Sequence, residues 1–423
     1  MSDVGDANMS PKGSFGVRSG ARPFLQPHQT LEDFRAEAQD QTNAAPAKTL
    51  PLKDAISIIG MGRLGLCTAL CLEEVGFDIL GVDIFPDYVD AINKKLLQSS
   101  EPLVMDKLHK STRVRATLSI DDVLAHSDVV MIFVDTPYTG SDRYYDVSKL
   151  GRVLNQINSR RIEDKHIVIC CTVFPGYCAD IGRYLLRDCK NVSLSYNPEF
   201  IAQGDIIRGL QNPDVVLIGE GSPEAGEVLK SQYRRMCHNA PSIRRMTPES
   251  AELVKLSINC FVTMKIAFAN QISDIADRTP QADKAAVLAA VGSDSRIGSK
   301  YLQPGYGFGG PCFPRDNRAL GSYAEATGVE PLMMRATDLS NKRHAELQVQ
   351  ALLSQELEVY HFEGLAFKKN CPVAIIEESQ KLNVASQVAR AGKTVVLRDT
   401  KEVLDAIRAE YGRIFNYEEI DLN

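Results

Sequence analysis

Short apolar runs alternate with amphipathic stretches through the first half of the chain. Ile56-Ser57-Ile58-Ile59 is one run, and residues 78–82, 129–134, 166–172 and 215–218 form others. Each has strand length, and helical patterns separate several of them, the first reaching from the glycines after Ile59 to about Val75. This alternation predicts an α/β fold that opens with a parallel, doubly wound sheet ending near residue 243.

The period then changes. Between residues 248 and 278, Leu253, Leu256, Cys260, Phe261, Met264 and Phe268 recur at the spacing of one long helix. Pro248 suits its first turn, and Glu249 and Glu252 suit its positive end. A second long helix is expected over 317–351, broken near residues 328–331. Two such helices suit a subunit interface. Residues 358–367 then read as a strand, 379–391 as a helix and 394–397 as a strand, a single βαβ unit that is small for an independent domain. Residues 1–50 are polar and rich in Gly, Ala, Pro, Gln and Asp, with one helical candidate over 31–39 capped by Thr30. The expected organisation is a flexible extension (1–50), a dinucleotide-binding domain (51–243), a central helical domain (244–345) and a reduced C-terminal α/β unit (346–423).

Composition narrows the setting. A chain of 423 residues holds two or three domains. Its net charge of -6 argues against a general nucleic-acid binder. No apolar run approaches a membrane span, and no secretory signal pattern opens the chain. The ten cysteines lack paired metal-ligand spacing. Cys67, Cys71, Cys170 and Cys171 read as small core residues, so no metal is expected and the setting is a reducing, cytoplasmic one.

Gly60-Met61-Gly62-Arg63-Leu64-Gly65 follows the first strand and opens a helix, and Asp83 closes the next strand 18 residues after Gly65. In this context the glycines permit the tight turn, the approach of a pyrophosphate and close helix–strand packing, and the helix N-terminus supplies positive potential. A carboxylate at Asp83 would hold the adenine ribose hydroxyls and repel a 2′-phosphate, so NAD is expected rather than NADP. Arg63 lies in the variable part of the loop, where an exposed side chain or a phosphate contact fits.

Gly305-Tyr306-Gly307-Phe308-Gly309-Gly310-Pro311-Cys312-Phe313-Pro314-Arg315-Asp316 carries the densest chemistry. Four glycines allow close approach of backbone to a ligand, and two prolines stiffen the turn that presents Cys312. Taken alone, the segment fits a nucleophile and a buried structural thiol equally well. Lys255 and Asn259 are spaced i, i+4 and share one helix face, where an ammonium and an amide can meet one oxygen; spacing alone favours a solvated lysine beside a capping or packing asparagine. Asp316 fits either a water-activating carboxylate or a salt bridge with Arg315.

These segments, together with Val134-Asp135-Thr136-Pro137, Cys171-Thr172-Val173-Phe174-Pro175-Gly176, Asn197-Pro198-Glu199-Phe200-Ile201-Ala202-Gln203-Gly204 and Asp294-Ser295-Arg296-Ile297-Gly298, resemble the nucleotide-sugar 6-dehydrogenases. The resemblance runs from about Ala55 to Asn341. It implies a Rossmann-type NAD domain, a central helical dimerisation domain and oxidation of a nucleotide-linked sugar alcohol to a carboxylate with two NAD in succession. Cys312 would carry a thiohemiacetal and then a thioester. Lys255, Asn259, Asp316, Glu199 and Thr172 would share the catalytic work, and Thr136 and Thr172 would lie near the cofactor. Glu199, Phe200, Gln203, Arg296, Tyr301, Gly309, Lys368 and Arg413 would meet the substrate. A homodimer is implied.

The chain departs from that pattern in three places. Gln203 stands where relatives of the UDP-glucose type carry a second Glu. The stretch after Lys368 lacks the usual arginine, and only 24 residues follow Asp399, with Tyr411-Gly412-Arg413-Ile414-Phe415 resembling the final strand. A two-electron hydroxyacid dehydrogenase and a non-catalytic nucleotide-binding scaffold are the competing readings; the first does not need the Cys312 loop, and the second does not need Lys255, Asn259 or Asp316.

Overall fold

The computed structural model describes residues 54–137, 139, 145–201, 203–368 and 371–420. The 31–39 helix expected in the extension lies outside them. β1 (Ala55–Ile59), β2 (Asp78–Val82), β3 (Val114–Thr117), β4 (Val129–Ile132), β5 (Glu163–Ile169), β6 (Lys190–Tyr196), β7 (Val215–Gly219) and β8 (Ser242–Met246) form one sheet in the order β3-β2-β1-β4-β5-β6-β7-β8. Neighbours are parallel except β6 and β7, which meet antiparallel through Tyr196 and Gly219. The expected parallel sheet forms, with this one pairing reversed. Both directions bury the same apolar residues, so the hydrophobic pattern does not encode the reversal.

β3, β6 and β8 were not among the expected strands. β3 and β8 are short sheet edges with charged positions, such as Arg115, Arg244 and Arg245, and lack a continuous apolar run. β6 begins on exposed Lys190 and Asn191 and becomes buried only at Leu194. One face of the sheet packs Ile56, Ile58, Ile79 and Val168 in one core with Leu66 and Leu70 of the helix Arg63–Glu74. The other packs Val130, Ile132, Leu154, Ile167 and Tyr177.

The long helix Pro248–Ala276 forms as expected. Pro248 occupies the first turn, and the Thr247 hydroxyl accepts from the Ser250 N–H at 3.3 Å. The next two helices, Phe313–Ala326 and Leu332–Leu353, are separated by Gly328 in a left-handed conformation (φ 81°), matching the expected break. A further helix, Lys284–Ser293, was not anticipated; Asp283 caps it by accepting from Ala285 and Ala286.

The last unit holds three parallel strands, β9 (Val359–Glu363), β10 (Thr394–Asp399) and β11 (Asn416–Glu419), in the order β11-β10-β9. It is larger than the single βαβ unit expected. Helix Lys401–Tyr411 intervenes before β11, so residues 411–415 end a helix and turn, and the strand starts only at Asn416. β9 stops earlier than expected because Gly364 turns left-handed and the Leu365 N–H is taken by the Asp399 carboxylate at 2.6 Å.

Glu252 ties the long helix to the first sheet. Fully buried, it accepts from the Gly176 N–H at 2.6 Å and the Cys178 N–H at 2.9 Å, at the turn that follows Thr172. Burial pushes its carboxyl up to about 7 against those two N–H donors. An unfolded glutamate near ~4.3 has already released that proton at pH 6. The contribution to stability is therefore complete below about pH 4 and is lost as pH rises through 7. In denaturant titrations at pH 6 and pH 8, the wild type should lose stability across this interval, and Glu252→Gln should flatten the loss.

Candidate active site

The nucleotide loop is built as its sequence requires. Gly60 sits at φ 93°, and a Cβ there would overlap the Phe133 carbonyl. Gly65 packs against the Gly60 carbonyl, while open space faces Gly62. Met61 is buried beneath the loop against Gly81, and Leu64 packs on the sheet core. Asp83 accepts from the Met61 N–H at 3.0 Å and from the Ile84 N–H at 2.7 Å. The carboxylate is thus fixed beside the glycine turn, with the N-terminus of a 12-residue helix opening at Gly62. This is the donor and acceptor set that fits a dinucleotide: open backbone and helix dipole for the pyrophosphate, a carboxylate for the ribose. Arg63 is exposed, and its guanidinium donates to Gln203 Oε1 at 2.5 Å, bridging the nucleotide loop and the turn after β6.

The second centre surrounds Asp316, which is fully buried. Its Oδ2 accepts from Asn259 at 2.6 Å; its Oδ1 accepts from the Tyr145 hydroxyl at 2.9 Å and from Arg315 Nε at 2.8 Å. The ion pair with Arg315 therefore exists alongside the contact with Asn259. Arg315 also stacks over Tyr145 and reaches the Thr136 carbonyl at 3.4 Å. Thr136 in turn donates to the Thr172 carbonyl at 2.7 Å, which places both threonines at the ends of β4 and β5 above the sheet.

Cys312 caps the helix Phe313–Ala326. Burial raises its thiol, and Asp316 adds to this; Arg315 and Lys255 oppose it. The sulfur therefore rests as a thiol with two cations beside it. Lys255, buried on the facing helix, donates to the Glu199 carbonyl at 2.6 Å and lies 4.7 Å from the Phe200 ring centroid. Burial pulls its ammonium below the ordinary lysine range.

The loop before Cys312 is held from both long helices. Asn341 donates to the Phe308 carbonyl at 3.0 Å and accepts from its N–H at 2.9 Å. Asn270 accepts from the Gly305 N–H, and His344 meets the Gly305 carbonyl at 2.8 Å. A Cβ on Gly309 would overlap the Glu378 carbonyl, so this loop position packs against the last unit.

The other residues expected at the substrate make separate contacts of their own. Arg296 is exposed and paired with Asp294 at 2.7 Å. Tyr301 is half exposed and packs edge-on against Phe313. Lys368 lies 5.9 Å from the Phe367 ring centroid, and Arg413 is exposed in the turn before β11. The Glu199 carboxylate turns toward Tyr233, with its oxygen 2.5 Å from the hydroxyl. Tyr145 and Tyr233 escaped the reading of the sequence. Neither belongs to a spaced motif, and only the fold brings them to the site.

The sequence and the fold have counterparts among known proteins. A family model described as the UDP-glucose/GDP-mannose dehydrogenase family, NAD binding domain, matches residues 54–237, and the model of that family's central domain matches residues 249–343. The chain belongs to this family. Its UDP-glucose 6-dehydrogenase relative AglM from Haloferax volcanii is 30% identical over 66% of this chain and 68% of the relative. A GDP-mannose 6-dehydrogenase from Pseudomonas syringae pv. tomato is 29% identical over 85% of this chain and 82% of its own length. A solved UDP-glucose dehydrogenase from Pyrobaculum islandicum superposes with a TM-score of 0.79 at 27% identity, covering 89% of this chain and 88% of that one. As a member of the family the protein is an NAD-dependent oxidoreductase, and the Gly60 loop lies in its NAD-binding domain. Among the described residues no helix is long and apolar enough to cross a membrane.

If Asp83 holds the ribose hydroxyls, Asp83→Ser should weaken NAD binding by about tenfold or more, the loss of a charge-assisted hydrogen bond. It should also narrow the preference for NAD over NADP. Titration of both dinucleotides into the folded variant measures each effect, and unchanged NAD affinity would remove Asp83 from the ribose site.

Proposed function

We propose that this protein oxidises the primary alcohol of a nucleotide-linked sugar to a carboxylate, in two successive NAD-dependent steps, through Cys312. The observation that carries the proposal is the meeting of Cys312 with Lys255, Arg315 and the Asn259–Asp316 pair in one buried cluster. A two-electron dehydrogenase has no use for a thiol so placed.

NAD, bound at the Gly60 loop, accepts the hydride released at each oxidation. The remaining work falls to the protein. Lys255, with an amide from Asn259 on the same helix face, stabilises negative charge on the sugar oxygen as the alcohol loses its proton. The Cys312 sulfur then adds to the aldehyde carbon and its thiol proton passes in net to the carbonyl oxygen, which gives a thiohemiacetal and keeps the aldehyde from escaping. Loss of the second hydride, together with the hydroxyl proton, makes a thioester. Water adds to that carbon, the C–S bond breaks, and Cys312 regains its proton as the acid departs. Asp316, already accepting from three donors, orients Asn259 and Arg315 around the reacting atoms. Thr172, Phe200, Gln203 and the Glu199 backbone border the sugar; Gly309, Tyr301 and Lys368 extend the substrate surface toward the nucleotide, and Arg296 is assigned a contact across a dimer.

A UDP-linked hexose of the glucose type is the substrate we assign. The relatives divide between UDP-glucose and GDP-mannose dehydrogenases by name, so nucleotide and sugar are the variables to test. A panel of UDP-, GDP- and CDP-sugars should yield two NADH per substrate consumed; a ratio of one would replace the proposal with a two-electron oxidation. Cys312→Ala should lower acid formation by about a thousandfold or more while NAD affinity stays at the wild-type value.

We also propose a homodimer. Phe261, Phe268 and Ile275 recur every seven residues along the long helix and are 59%, 47% and 56% exposed. A helical stripe of this kind is normally covered. Phe268→Glu should shift the molar mass measured by light scattering from two chains to one.

A further inference from the structure

Around Glu199 there is one hydrogen fewer than a row of ionised and neutral acceptors would need. A tyrosine hydroxyl donates once. The Tyr233 oxygen lies 2.5 Å from Glu199 Oε1 and 2.8 Å from Asn197 Oδ1. The orientation of the Asn197 amide is set from its other end, because Nδ2 donates to the Leu217 carbonyl of β7 at 2.9 Å. Its oxygen, not its nitrogen, therefore faces Tyr233. Asn197 is fully buried and Tyr233 is 4% exposed. With Glu199 ionised, two acceptors would compete for a single hydrogen, and the buried loser would go unsatisfied.

We infer that Glu199 rests as a neutral carboxylic acid whose O–H donates to Tyr233, which donates onward to Asn197, so that Tyr233 is a positioning residue for the reaction. This rests on placing Glu199 in the dehydrogenase site, as the proposed function does.

The surroundings agree. Lys255, on the 248–276 helix, is the cation that faces Glu199, and it donates to the backbone carbonyl rather than to the carboxyl group. The other titratable neighbours are thiols. Cys71 comes from the 63–74 helix, Cys170 from the end of β5, and Cys237 from the end of the helix Pro223–Met236. Burial raises all three, so they carry no charge near neutral pH. Burial also raises the Glu199 carboxyl above the usual range, with Tyr233 and Lys255 opposing. The Tyr233 hydroxyl is itself raised by burial and keeps its hydrogen.

Ionisation of Glu199 then has a defined course. Its proton leaves to solvent or to a reacting group. Tyr233 swings its hydroxyl hydrogen from Asn197 to the new carboxylate, and Asn197 Oδ1 is left without a donor. Glu199 can therefore give up one proton during turnover, and it acts as a base only above an ionisation pH higher than that of an ordinary glutamate. This divides the two carboxyl groups of the site, since Asp316 meets three donors at once.

Infrared difference spectroscopy on the full chain tests this without turnover. At pH 7 the wild-type minus Glu199→Gln difference spectrum should show the carbonyl stretch of a protonated carboxyl group, the Glu252 band being common to both and cancelling. Its absence from that difference would overturn the inference. Two neighbours supply an independent arm. Asn197→Leu frees the Tyr233 hydrogen for the carboxylate, so the pH at which the band disappears should fall. Tyr233→Phe removes the donor to the anion, so that pH should rise. Shifts of about one pH unit in opposite directions are expected; no shift, or shifts in one direction, would overturn the proposal even if Glu199→Gln failed to fold. An enzyme that makes no acid yet keeps the band refutes the proposed function alone. An active enzyme without the band refutes this inference alone.

Discussion

A carboxylate with no access to water must be given donors, and Asp316 is given three. Tyr145 arrives from the loop beyond β4, Asn259 from the middle of the long helix, and Arg315 from the same turn as Cys312. Removing any of them would leave a buried charge short of a partner, which typically costs several kcal/mol when one side of a buried pair is lost. Three separate pieces of chain are therefore locked in register by one side chain. The first sheet, the long helix and the cysteine turn cannot shift independently without exposing that charge. The geometry of the proposed site follows from the constraint: Cys312 begins the same helix turn, and Lys255 lies one turn before Asn259 on the same helix.

A second, uncharged set of contacts governs the loop. Asn341 meets both the N–H and the carbonyl of Phe308, as a neighbouring strand would. Asn270 and His344 hold Gly305. A loop with this many glycines has much conformational freedom to lose, and side-chain amides on two rigid helices supply the missing ladder. On its other side the Gly310 N–H donates to the Glu377 carbonyl at 3.1 Å, so the last unit also bears on the loop. The last unit and the thiol are thereby mechanically joined.

Much of this was legible in the sequence where chemistry is local. The Gly60 loop, Asp83 and the Lys255–Asn259 face depend on spacing within one or two elements, and the alternation of runs predicted the sheet. What the sequence withheld depends on pairing over long separations. The reversal between β6 and β7 leaves the pattern of buried residues unchanged. β11 begins only after a helix that no resemblance to a final strand announced. Tyr145 is separated from Asp316 by 171 residues, and Tyr233 from Glu199 by 34. Each reads as an ordinary aromatic until the fold supplies its partner.

The two carboxyl groups also show why residue type alone does not fix a role. Asp316 faces a guanidinium, an amide and a hydroxyl, all of them able to donate at once. Glu199 faces one hydroxyl whose hydrogen is contested, three neutral thiols and a lysine bound to the backbone instead. The first setting stabilises charge, and the second stabilises a proton. In the proposed reaction, a site that must both accept and return protons over two oxidations benefits from having these settings apart, because neither group then has to change its resting state to let the other act. The separation comes from which backbone and side-chain donors the fold has left uncommitted, not from the carboxyl groups themselves.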